Sequence, residues 1–306
     1  FIDGARDIAS YSRDPFNLEQ VEVYKGPSST NSGRGTTGGS VNLVTKSPFL
    51  TPSYGTDFTV GSEDFFRTTI DINQPLYVTP GPPATQGVAG GKGAKEVQPI
   101  AGSPDTGIAL RLNGMYQEHD VSNRDHVSGE KWGIGASLAF GLGTDTRLTL
   151  SYMHYEEENV PDYGIPWTAK DIVPYNTWYG NLERDFEDIA VDVGSIVFEH
   201  DFNDAFSVRN LTRYSRVTRE HGTSSPRLTG RTINTNFHLR DMETTTFANQ
   251  TDFNIEFNTG FLKHYVTTGF EVSLENSENR ARSGDPVGNV DVTRPRPFQP
   301  WGGSIW

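Results

Sequence analysis

Lys131-Trp132-Gly133-Ile134-Gly135-Ala136-Ser137-Leu138-Ala139-Phe140-Gly141-Leu142 is the stretch that decides the fold. Trp132, Ile134, Ala136, Leu138, Phe140 and Leu142 fall on one side of an extended chain. Gly133, Gly135, Ser137, Ala139 and Gly141 fall on the other. The period is two, so the stretch reads as a strand with one apolar face.

The same period recurs on both sides of it. Phe66, Thr68, Ile70 and Ile72 alternate with Arg67, Thr69 and Asp71. Ile108, Leu110 and Leu112 alternate with Ala109, Arg111 and Asn113, and Leu148, Leu150 and Tyr152 with Arg147, Thr149 and Ser151. Phe253, Ile255 and Phe257 do so with Asp252, Asn254 and Glu256, and Val266 to Leu274 repeats the pattern. Weaker strands are expected near 54–60, 190–203 and 205–218. No segment beyond residue 50 carries a helical period. The strands run about 8–14 residues, against a globular mode of about 5–6. About ten tilted residues span a hydrocarbon core.

A sandwich also alternates, so period alone leaves it open. The connections favour a barrel. Tight turns are expected at Leu142–Thr146, at Asn203-Asp204 and at Asn258-Thr259-Gly260. Long loops are expected at Glu156–Ile189, near His221–Met242 and from Asn276 onward. Short turns on one side and long loops on the other is the layout of an outer-membrane barrel. Val78–Asp105, rich in Gly, Pro and Ala, falls where a short turn is due and reads as a flexible insertion.

Composition fits this reading. The chain has 306 residues, 26 Lys plus Arg against 39 Asp plus Glu, and a net charge of −13. That balance excludes a nucleic-acid binder, which needs a basic footprint. With Cys 0 there is no disulfide, thiolate metal site or Cys nucleophile. Apolar residues are only 34%, and no apolar run is long enough for a membrane helix. A barrel escapes that test because only alternate residues face lipid. The chain starts at Phe1 and stops at Trp306 in a Pro- and Gly-rich segment. It is therefore expected to be a fragment.

Residues 1–50 differ from the rest. Val21-Glu22-Val23-Tyr24-Lys25-Gly26-Pro27 reads as a strand and turn. Gly33-Arg34-Gly35 is a bend, and Gly38-Gly39-Ser40-Val41-Asn42-Leu43-Val44-Thr45-Lys46 a second strand. A phosphate cradle is not supported, because no GxxxxGK[ST] or strand–GxGxxG–helix is present. The whole run from Val21 to Lys46 resembles the end of the plug domain of TonB-dependent outer-membrane receptors. An aromatic often precedes the Gly-Arg-Gly in that family; here Ser32 does. Phe1–Asp7, Tyr11–Asn17, Asp71–Leu76 and Asn159–Trp167 resemble the ferric siderophore receptors, especially the catecholate branch.

The resemblance implies an all-β fold, a transmembrane antiparallel barrel of about 22 strands filled by an N-terminal plug. Residues 1–50 would be the C-terminal half of the plug, and 51–306 the first part of the barrel, with about nine strands. The chain would be part of an importer of a ferric siderophore in the outer membrane of a Gram-negative bacterium, in contact with lipid and lipopolysaccharide. The TonB–ExbB–ExbD complex would drive it through a segment outside this chain. No catalysis and no cofactor are expected, since iron arrives inside its chelator. The alternatives are a receptor of the same fold for haem, cobalamin or a glycan, or a secreted all-β binding or adhesion protein.

A ferric catecholate is a bulky anion with aromatic rings. Arg supplies charge and stacking, and Tyr and Trp supply faces. The expected ligand-binding residues are Arg6, Tyr11 and Arg13 in the plug, with Tyr163, Trp167, Tyr175 and Trp178 in the long loop. For the loop aromatics the competing reading is a mini-core or a membrane-interface girdle; for the plug residues it is pairing with the barrel. Glu19, Glu22, Lys25 and Arg34 flank the glycine bend and read as plug–barrel ion pairs, since buried charges need partners. Glu156-Glu157-Glu158 reads as a solvated acidic rim. The 7 His form no ligand pair, so no protein-held metal is expected. No Gly-x-Ser-x-Gly or comparable nucleophile context is present.

Overall fold

The computed structural model describes residues 1–26, 38–81 and 105–298, less the side chains of 283–288. Among them the strands form two sheets. β1 (Leu18–Lys25) and β2 (Gly39–Thr45) make a small antiparallel pair. β3 (Ser53–Val60), β4 (Phe66–Thr79), β5 (Thr106–Asp120), β6 (Ser128–Leu142), β7 (Thr146–Asn159), β8 (Phe186–Asn203), β9 (Phe206–Thr229), β10 (Thr232–Thr259) and β11 (Leu262–Asp291) make the second. This is a 9-stranded antiparallel meander in which every strand pairs with its sequence neighbours.

Register carries one face across the sheet. Tyr116 lies opposite Trp132, Ile134 opposite His154, Tyr152 opposite Gly194, and Gly194 opposite Tyr214. Partners share a face, so Leu112, Ile134, Leu150, Ile196, Phe198 and Phe270 stand on one side, exposed. The other side carries Arg67, Asp71, Arg111, Lys131, Tyr155 and Arg213 and closes on the described residues of 1–50. A sheet that exposes its apolar face and covers its charged one has the polarity of a barrel in lipid. No helix among the described residues is long and apolar enough to cross a membrane, which does not bear on strands.

Between plug and sheet lies a buried apolar cluster of Ala9, Phe16, Met115, Tyr155, Ile189, Val191 and Val217. Full burial of Phe16 alone contributes about 2–3 kcal/mol.

The strands exceed the sequence expectation at the loop end. The segment near His221–Met242, read as a loop, is the upper part of β9 and β10, joined at Gly230-Arg231. Gly230 has φ +63°, a conformation glycine adopts without strain. Likewise the chain from Asn276 stays extended to Asp291. In β10 the alternation persists at the loop end, with Ile233, Phe237 and Leu239 buried and Ile233 packed with Ala169, Val173 and Tyr179 of the long loop; polar residues between them hid it in the sequence. The long loop narrows to residues 160–185. Most of the insertion expected at Val78–Asp105 lies outside the described residues.

Candidate functional site at the plug–barrel junction

Two polar clamps fix the plug to the wall. The first begins at Asp14, which caps the short turn Pro15–Asn17 by accepting from the Phe16 amide at 3.0 Å. Its carboxylate also accepts from Arg67 Nη1 and Nη2 at 2.8 and 2.7 Å. Lys131 Nζ approaches at 3.0 Å. Arg67 donates in turn to Gln117 at 2.8 Å. Burial pushes the Asp14 carboxyl up, but hydrogen bonds and charge from Arg67 and Lys131 outweigh it and hold the group below its ordinary range.

The second clamp centres on Arg111, a β5 side chain on the plug-facing side. It donates to both oxygens of Asp71 at 3.0 and 2.9 Å, to Glu19 at 2.9 Å and to the Ser47 carbonyl at 3.0 Å. Lys46 joins Asp71 at 2.9 Å. Nearby, Asn73 holds the linker from plug to β3. Its amide donates to the Phe49 and Thr51 carbonyls, each at 2.8 Å, and its oxygen accepts from the Phe49 amide at 3.0 Å.

Of the four charges read as plug–barrel pairs, Glu19 thus meets Arg111. Glu22 stays within the plug, accepting from Gln20, Tyr24 and Asn42. Lys25 makes no ion pair among the described residues, and Arg34 lies outside them. Asp14, Arg67, Lys131 and Arg111 were not singled out from sequence. Arg67 and Arg111 on the polar side of amphipathic strands were the available signal.

The plug residues read as ligand-binding gather at its loop-facing end. Arg13 lies over the Tyr11 ring, 4.4 Å from its centroid. Its guanidinium donates to Asp7 Oδ2 at 3.1 and 3.0 Å and to the Ala9 carbonyl at 2.9 Å. Tyr11 donates to the same Asp7 at 3.1 Å. Burial and the Asp7 charge raise the Tyr11 phenol, so it stays a donor. Arg6 is half exposed, 3.6 Å from Glu275 of β11.

The loop aromatics divide. Trp178 is 2% exposed, donates to the Pro161 carbonyl at 3.1 Å and packs on the His126 ring at 5.7 Å. It belongs to the interior of the loop. Tyr179 is buried too and donates to the Val292 carbonyl at 2.7 Å. Tyr163, Trp167 and Tyr175 are exposed. Lys170 Nζ sits 3.7 Å above Trp167, and Arg124 lies 5.8 Å from the Tyr175 ring. No group of His, Asp and Glu among the described residues is arranged to hold a metal ion.

A meander with an apolar outer face, its charged inner face clamped to a separate N-terminal unit, defines a plugged outer-membrane β-barrel. The chain belongs to the TonB-dependent outer-membrane receptors. Residues 1–40 match the family model described as TonB-dependent Receptor Plug Domain. The chain is 34% identical over 309 residues to the catecholate siderophore receptor Fiu of Escherichia coli K12, covering 91% of this chain and 37% of that protein. It is 36% identical over 290 residues to the probable TonB-dependent receptor BfrD of Bordetella pertussis, covering 89% and 35%. The crystal structure of the ferric-catecholate import receptor Fiu from E. coli K12, closed form, aligns with a TM-score of 0.81 at 31% identity, over 99% of this chain and 43% of that one. The chain therefore spans under half the length of these relatives.

Proposed function

We propose that this chain is the later half of the plug (residues 1–50) and the first part of the barrel (51–306) of a receptor importing a ferric siderophore of catecholate type. The observation that carries this is the 34% identity across 91% of the chain to a catecholate siderophore receptor. The site is compatible with such a ligand. At the loop-facing end of the plug, Arg13 and Tyr11 are held as a rigid stacked pair, and Arg6 adds a half-exposed cation. Tyr163, Trp167 and Tyr175 offer exposed ring faces on the long loop. Together these supply charge and stacking surface to a trianionic aromatic complex.

The receptor acts without covalent chemistry, and iron is cargo inside its chelator. Energy comes from the TonB–ExbB–ExbD complex acting on the plug from the periplasm. The clamps at Asp14 and Arg111 set how firmly the plug resists that pull. The test is uptake of radioiron-labelled ferric catecholates by iron-limited cells with and without the gene. Loss of uptake on deletion, restored by complementation, is expected. Unchanged uptake, or a defect for haem or cobalamin instead, rejects this ligand class.

A further inference from the structure

The plug-facing side of β9 carries Arg213, which donates to the Ile2 carbonyl at 3.1 Å, and Arg219, which donates to Ser10 Oγ at 3.2 Å. Two residues further along that side is His221. Opposite it on β10 lies Arg240, with His238 next on the same side. Arg219, Glu187, Arg240 and His238 are the charges around His221. Glu187 is already committed, bound by the Arg219 guanidinium and by Asn159. That leaves the cluster with excess positive charge. Arg240 has no acidic partner among the described residues and reaches only Asn279, at 3.5 Å. His221 Nδ1 is shielded from solvent and makes no hydrogen bond among them. His238 and Arg240 are exposed.

We infer that His221, His238 and Arg240, beside Arg219, form an anion-binding patch on the barrel wall just beyond the plug, which receives the anionic oxygens of the ferric complex. The inference rests on the siderophore reading and adds the barrel wall to it, where Arg219 touches Ser10 of the plug. The chemistry favours deprotonated catecholates. Guanidinium and imidazole groups donate to charged oxygens at roughly twice the strength of neutral pairs. A neutral chelate gains nothing from them.

The test uses the full-length receptor carrying H238Q and R240Q together, titrated with ferric tris-catecholate by tryptophan fluorescence quenching. Affinity is expected to fall roughly tenfold or more, while R240K alone retains most of it. The heat-modifiable gel mobility of the barrel checks that the variants fold. Wild-type affinity in the double variant overturns the patch and leaves the import reading standing. Where the wild-type receptor does not take ferric catecholate, the import reading falls and ferric citrate, an anion without rings, decides the patch. A loss of citrate affinity in the double variant supports it; equal affinity, or no binding by either protein, overturns it.

Discussion

Gly133 of β6 lies directly under Phe16 of the plug: a Cβ at position 133 would sit 2.8 Å from Phe16 Cζ. Gly135, two residues on, leaves the same kind of room for Asn17, whose side chain would be 3.0 Å away. These two glycines on the inner side of β6 are the seat of the Pro15–Asn17 turn. Gly133→Val is expected to destabilise the seated plug by about 1–3 kcal/mol through overpacking. Urea unfolding of the purified receptor, followed by a probe on the plug, measures it. Coupling to Phe16→Leu above about 0.5 kcal/mol in a double-mutant cycle marks the contact as direct.

Asp14→Asn keeps the shape of the first clamp and removes its charge. Arg67 and Lys131 then lose their anion while their side chains are only 19% and 17% exposed. Breaking a buried pair costs about 3–5 kcal/mol, and partial solvent contact lowers the expectation to about 1–3 kcal/mol. Earlier plug release in denaturant, with the barrel transition unmoved, is the expected result.

The same carboxylate gives the clamp a pH dependence. Its pKa in the folded protein lies below that of the free side chain, about 3.9. Its stabilisation is therefore fully present above about pH 4–5 and is lost as pH falls through the folded value. The stability gap between wild type and Asp14→Asn should close on acidification. A gap that persists below that range would mean the charge is not what holds the turn.

In the long loop, Trp178→Ala removes a buried ring and is expected to expose residues 160–185 to protease, at a local cost of about 3–5 kcal/mol. Trp167→Ala and Tyr175→Ala remove exposed rings and should leave the loop protease-resistant. If ligand contacts the loop, these two lower affinity for ferric catecholate without that signature. The pair of readouts, limited proteolysis and titration, separates a folding role from a contact role.

Face assignment predicts a contrast on one strand. Ile134→Lys places a charge on the lipid side of β6 and should cost about 2–4 kcal/mol of folding into bilayers near the midplane. Lys131, three residues away on the plug side, is native there because Asp14 meets it. Folding into phospholipid vesicles, followed by the gel-mobility shift, reads the difference.

The strands were readable where one face meets lipid and the other does not. Lys131–Leu142 shows its period because hydrocarbon enforces it at each alternate position. Above the membrane hydrocarbon no longer enforces it, and only a short stretch packed under the long loop keeps the alternation. The tops of β9 and β10 carry Arg219, His221, His238 and Arg240 on one side and residues such as Phe237 and Leu239 on the other, and they read as loop. The glycine-rich run near Arg34 pointed to the plug, and Glu19 to a pairing charge, because charges buried in a pore need partners. Its partner, Arg111, is 92 residues away, and no local pattern names such a partner. Asp14 with Arg67 and Lys131 was invisible for the same reason. Trp178 looked like its neighbours until packing separated a buried ring from exposed ones.

The linker held by Asn73 sets the order in which the plug can come loose. It joins β2 to β3, so the plug is tethered to the wall at its far end. Tension entering from the Phe1 side meets the attachments one after another: Arg213 at Ile2, Asp14 in its clamp, then Glu19 at Arg111, and Asn73 last. Contacts loaded in sequence yield one at a time, so the peak force is that of the strongest single attachment, not of their sum. An attachment order of this kind lets the unit come away from one end while it stays anchored at the other.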